Sequence, residues 1–226
     1  DQAMSCLENY YVLHRQGHKA VHLLIEHYAL RRSIFGEDSL QTADILASMA
    51  RAYQSCGASV MAVKVADHAQ QVLFPKYAAS KRALRAAVEL GQVYQMSGDY
   101  GQAARIYRIV LQASERWHGA SDEKTVATRQ SLICALLCAK NLAEAQAQIK
   151  ILTQTIETAP RADAGRSFPY LIVLGDACLS AGQPAEALHL YKLACRYVDS
   201  SNPLFRQRLT QLDRKLKMLA RPTVLR

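Results

Sequence analysis

The chain has 226 residues, of which half are apolar and only 7% aromatic. Ala and Leu dominate that apolar set, a mixture that favours closely packed helices, because strands draw on Val, Ile, Thr and aromatic side chains. No window approaches ~18 consecutive apolar residues, which excludes a membrane-spanning helix, and a net charge of +9 directs attention to acidic partners.

The ten Gly and six Pro are well separated, so neither a flexible linker nor a low-complexity tract is expected. The chain opens at Asp1 instead of an initiator Met and reads as a piece of a longer or processed protein. Cys6, Cys56, Cys134, Cys138, Cys178 and Cys195 are scattered without a C-x-x-C pair. They fall mostly where a small apolar residue would pack between helices, and the expected setting is a reducing cytoplasm.

In chain order, the first unit runs from Leu7 through Gly17 to Ala29 and is a degenerate copy of those that follow. The stretch Phe35-Gly36-Glu37-Asp38-Ser39-Leu40-Gln41-Thr42-Ala43 then leads into Leu46 and Ala50. The second unit has Met49-Ala50 with Tyr53, then Gly57, Ala62, Ala66 and Ala69. In the third, the same register holds Leu90-Gly91 with Tyr94, then Gly98, Ala103, Tyr107 and Val110. A second connecting stretch, His118 to Ala127, leads to Leu132-Ile133 with Leu136, then Lys140, Ala145, Ile149 and Leu152. The fifth unit has Leu174-Gly175 with Cys178, then Gly182, Ala187, Tyr191 and Ala194. The alanines at 62, 103, 145 and 187 are separated by steps of 41, 42 and 42 residues.

Each unit reads as two antiparallel helices. Gly57, Gly98 and Gly182 supply the left-handed residue that ends the first helix, and Pro184 suits the first turn of the second. Gly91 and Gly175 on the first helix and Ala103 and Ala187 on the second would let the two backbones approach, with Tyr94, Tyr107 and Tyr191 filling the neighbouring spaces. One such pair cannot bury its apolar faces alone, so pairs must stack. After Pro203, Phe205, Leu209, Leu212, Leu216 and Leu219 form a single apolar stripe among Arg206, Arg208, Arg214, Lys215, Lys217 and Arg221. That last helix is expected to cap the stack.

These positions match the L-G-x-x-Y, G-x-Y-x-x-A and F-x-x-A pattern, and the chain resembles the tetratricopeptide repeats. The match is most specific over Leu90–Val110 and Leu174–Ala194. The usual period is about 34; the longer one here resembles the repeats of kinesin light chain, although the His-Pro dipeptide and Asn runs of that family are absent. The resemblance extends to about Asp199. It implies an all-α fold, a right-handed α-α superhelix of about five pairs plus a C-terminal capping helix, some eleven helices in all. Residues 1–200 would form the repeat array and 201–226 the cap and basic tail.

The resemblance also implies that the first helix of each pair lines a concave surface. Carried over by register, the contact positions are Arg51 and Gln54, Arg85, Gln92 and Gln95, Gln130 and Cys134, and Asp176. Long amides and guanidinium groups can bind an extended peptide backbone and its carboxylates. The lysine–asparagine clamp that some members use for C-terminal carboxylates is not present as a set.

His14, His18 and His22, with Glu26 and His27, have spacings reminiscent of metal ligands, but Gly17 places a turn inside the run, so they read as turn and surface residues. Cys134 and Cys138, four apart on one helix, read as packing residues. No phosphate-binding loop, nucleophile elbow or zinc-protease motif occurs, and nothing in the sequence argues for an enzyme or a cofactor. The expected role is a protein-interaction scaffold or adaptor that binds an acidic or extended peptide segment of a partner, with cargo, cytoskeletal or ciliary assembly implied by the resemblance. The competing reading is a regulatory sensor that binds a small ligand or signalling peptide and controls an effector region elsewhere. Against nucleic acid stands the lack of aromatics interleaved with the C-terminal Arg and Lys.

Overall fold

A computed structural model describes residues 11, 16–77, 80, 81, 83–158, 168–197 and 214. The described residues form nine helices and no strand. In chain order these are α1 (Gly17–Phe35), α2 (Leu40–Ser55), α3 (Ser59–Tyr77), α4 (Ala83–Met96) and α5 (Tyr100–His118). There follow α6 (Glu123–Cys138), α7 (Leu142–Thr158), α8 (Phe168–Ser180) and α9 (Pro184–Tyr197). The expected helix before Gly17 and the cap after Pro203 lie outside the described residues. The backbone divides into two compact units, Asp1–Trp117 and His118–Arg226.

The same turn closes the first helix four times. The amide of Ala58 donates to the Tyr53 carbonyl at 3.0 Å, and that of Gly57 to Gln54 at 3.0 Å. Asp99 and Gly98 repeat this on Tyr94 and Gln95, Asn141 and Lys140 on Leu136 and Leu137, and Gln183 and Gly182 on Cys178 and Leu179. This six-to-one and neighbouring bond pair needs a left-handed residue just past the helix. Gly57, Gly98 and Gly182 have φ of 77°, 85° and 73°, and Lys140 takes the same place at 60° despite its side chain. The next helix then starts identically, with Ala62, Ala103, Ala145 and Ala187 each donating to the carbonyl four residues back.

Side-chain caps fix the starts of α2 and α6. Ser39 Oγ accepts from the Thr42 amide at 3.2 Å, and Asp122 Oδ1 from the Lys124 amide at 2.9 Å. Each satisfies a backbone donor that the first helical turn leaves without an intrahelical partner.

In the first unit α2 packs on α1, α3 and α4, and α3 packs on α4. In the second, α6 packs on α7 and α8, and α8 on α9. The four register alanines are all 0% exposed. Tyr94, Tyr107 and Tyr191 are among the largest fully buried side chains. Tyrosine rings fill the space beside two of the glycines. A Cβ on Gly91 would meet the Tyr107 ring at 2.6 Å, and one on Gly175 would run into the Tyr191 ring. Each glycine is thus a notch for the tyrosine of its second helix, four residues beyond the alanine that the sequence pointed to.

Candidate functional site

The expected contact residues stand on α2 and α4 in the first unit and on α6 and α8 in the second. On α4, Arg85, Glu89 and Gln92 follow one another at spacings of four and three, a single stripe of one helix face. Arg85 and Gln92 are exposed, whereas Glu89 is only 8% exposed. Arg85 Nε lies 3.5 Å from Glu89 Oε1. Across on α2, which packs against α4, Asp44 and Arg51 are two turns apart and half-buried.

These four charges act together. Burial raises the Glu89 pKa; Arg51 and Arg85 pull it back down, and Asp44 adds a smaller push upward. Desolvation is the largest of these effects, and Arg85, the weaker of the two arginine influences, is largely in water, where its attraction is screened. Sequence reasoning missed Glu89 as part of this face. The available signal was its position four residues after Arg85 and three before Gln92.

Other expected residues have work inside the fold. Ser97 Oγ, just past α4, meets Gln54 Oε1 at 3.1 Å, which ties the ends of α2 and α4 together. Gln95 Oε1 accepts from the Tyr107 hydroxyl at 3.2 Å, inside the α4–α5 pair. Asp176 Oδ1 accepts from the Tyr191 hydroxyl, inside the α8–α9 pair. The first unit uses the same device between repeats: the Tyr94 hydroxyl donates to Asp67 Oδ1 at 2.5 Å. Burial and then the carboxylate partner raise the pKa of both Tyr94 and Tyr191.

In the second unit Gln130 and Cys134 sit half-buried on α6. Burial pushes the Cys134 thiol up to about 12, with Cys138 and Cys178 adding to the shift, and burial pushes Cys178 to about 11. These thiols are protonated and unreactive near neutral pH. Cys138 and Cys195 are exposed, unlike the packing role expected of most cysteines. Cys6 lies outside the described residues. A buried Arg129, 3% exposed, donates to Gln148 Oε1 at 2.5 Å, in a register where the other units carry Leu46, Ala87 and Leu171.

The histidine run also departs in part from expectation. His18 and His22 are exposed on α1, with His22 3.5 Å from Glu26, but His27 is fully buried and accepts from Arg31 Nε at 3.1 Å. His14 lies outside the described residues. Among the described residues no helix is long and apolar enough to cross a membrane.

No family model matches the chain, and no curated protein matches it by sequence. Solved structures do. The chain is similar to a kinesin-light-chain-type protein of Podosopora anserina built of nearly identical TPR-like repeats, at TM-score 0.75 and 19% identity. That match covers 87% of this chain and 93% of the other. A single-substitution form of the same protein superposes equally well, at TM-score 0.75 and 18% identity over the same shares. BtubC (BKLC) from P. vanneervenii matches at TM-score 0.66 and 15% identity, over 100% of this chain and 84% of that one. The fold is an all-α superhelical repeat of the tetratricopeptide type.

Proposed function

We propose that the chain is a protein-interaction scaffold whose first helices take an extended segment of a partner, with Arg85 and Gln92 at the centre of the contact. The observation that carries this reading is their exposure on one stripe of α4, in the register where the resemblance puts ligand contacts. A guanidinium and an amide one above the other can hold a carboxylate and a peptide group of a chain running past them. Gln54 and Gln95 serve as supports in the first unit and Asp176 in the second, since each already carries a hydrogen bond within its own unit. Arg51 borders this stripe from α2, and Gln130 and Cys134 are the corresponding proposed contacts on α6 of the second unit. The kinesin-light-chain character of a structural neighbour supports an adaptor role in cargo or cytoskeletal assembly.

Affinity capture followed by mass spectrometry, with the parent and an Arg85→Gln/Gln92→Ala variant side by side, tests the reading. Partners that the variant loses while its melting curve stays unchanged support contact at this stripe. Partners that it retains place the contact elsewhere.

A further inference from the structure

On the α2–α4 face, the place beside Arg85 that an incoming carboxylate would occupy is already taken by Glu89. Its side chain lies against the Arg85 guanidinium and is almost entirely out of water, and the Arg51 charge reaches it from α2. Two arginines, Glu89 and Asp44 leave the cluster with no net charge, although the arginines alone suggest a positive patch.

We propose that Glu89 is a specificity-determining residue of this face: an internal acid that competes with a partner's carboxylates for Arg85 and Arg51. The proposal rests on the reading of α2 and α4 as a contact surface. Two physical consequences give it content. A partner carboxylate gains little by exchanging like for like, because Glu89 keeps part of the arginine field and repels the newcomer through a poorly solvated environment. Neutral, amide-rich segments meet no such opposition, since their groups bond the guanidinium edges and Gln92 without adding charge. The face as built therefore prefers a polar uncharged segment over an acidic one, and removal of one negative charge at position 89 should invert that preference.

The roles of the neighbouring charges fit this assignment. Arg85 is three-quarters exposed, so it can turn outward toward a partner. Glu89 has no such freedom, because little of its side chain reaches solvent. The competitor is thus buried and the arginine exposed, the arrangement needed for a filter as opposed to a simple surface ion pair.

The test uses two fluorescein-labelled twelve-residue peptides, one alternating Glu with Ala and the other Gln with Ala. Binding is read by fluorescence anisotropy at low ionic strength with parent, Glu89→Gln, Glu89→Ala and Arg85→Gln proteins. The expected result is a gain of about three- to tenfold in affinity for the acidic peptide in both Glu89 variants, of the order of 1 kcal/mol as a fold-change. Affinity for the neutral peptide should change less than twofold. Arg85→Gln should weaken binding of the acidic peptide. If Arg85→Gln weakens binding and neither Glu89 variant strengthens it, the face is the contact surface but Glu89 is no filter, and the proposal falls. If neither Arg85 nor Glu89 matters, or no protein binds either peptide, the contact-surface reading falls with it.

Discussion

Glu89 and Lys140 each sit where the fold has no easy accommodation for their residue type. Burial outweighs the two arginines at Glu89, so the folded carboxyl holds its proton more firmly than the unfolded chain does. Its contribution to stability is therefore complete below the ordinary glutamate pKa and is lost as pH rises through the folded value. Glu89→Gln, which cannot ionise, should melt above the parent at neutral pH, and the gap should close as pH falls below ~4. A variant melting below the parent at neutral pH would show that the arginine pairs outweigh desolvation. This also constrains how the arginines are probed. Reversal of Arg51 and Arg85 to Glu would place two more acids beside Glu89 and Asp44 and so unfold as well as unbind, whereas neutral substitutions do not. At Lys140 the strain lies in the backbone. Its φ of 60° stands where the other turns use glycine, and a Cβ there costs about 1–2 kcal/mol, partly offset by the extra freedom that glycine gives the unfolded chain. Lys140→Gly should gain roughly 0.5–1 kcal/mol in urea denaturation with an unchanged slope. A loss would mean that the lysine side chain stabilises the turn by a contact beyond its backbone.

Between elements, the recurring joint is a glycine on the first helix that receives the tyrosine ring of the second. Tyr107 and Tyr191 are at most 1% exposed and each is also tied through its hydroxyl, so neither ring can swing away from an added methyl. Gly91→Ala and Gly175→Ala should each cost about 1–3 kcal/mol, as overpacking does in a dense core. Pairing Gly175→Ala with Tyr191→Leu should recover part of the loss; strictly additive losses would mean that ring and methyl never meet. Ala103→Leu and Ala187→Leu, at fully buried positions, belong to the same class. The joint also shows how far the sequence could be read. Alanine steps and turn glycines repeat because each marks a backbone position with one solution, a close crossing or a left-handed residue, and such positions survive in one-letter form. Which side chain fills the glycine notch depends on the rotation of one helix about its axis, and three- and four-residue spacings leave that open within a turn. Lys140 was legible only by register, since nothing in lysine itself signals positive φ. The site was less legible than the fold. Register placed Arg85 and Gln92 among the contact positions, but a sequence gives no depth, so nothing singled out Glu89 between them, and the bonds that occupy Gln54, Gln95 and Asp176 were invisible.

For the whole molecule, the distribution of charge decides what the +9 means. Residues 202–226 carry seven Lys and Arg against one Asp, a net +6, so residues 1–201 carry only +3. The basic character that first suggested acidic partners therefore belongs mainly to the segment after Ser201. That segment's stripe of Phe205, Leu209, Leu212, Leu216 and Leu219 is proposed to cap the last pair, with Arg214 exposed and helical beside it. Removal of residues 202–226 separates the two roles, because one depends on apolar area and the other on charge. A cap makes truncation expose the end of the array, and the expected outcome is aggregation or a marked drop in melting temperature. Reversal of Arg214 and Lys215 to Glu leaves the apolar stripe intact and should leave the melting curve near the parent's. That charge-reversed protein should still bind partners of the first-helix face. Its weak, salt-sensitive attraction to polyanions such as heparin should fall steeply, since those two changes remove four of the chain's nine net charges. Light scattering of the truncated chain and heparin-column elution of the reversed one check the two halves. A truncated chain that stays monomeric and equally stable would make residues 202–226 a partner-binding tail, and charge-reversed protein that loses all specific partners would move the contact surface from α2 and α4 to that tail.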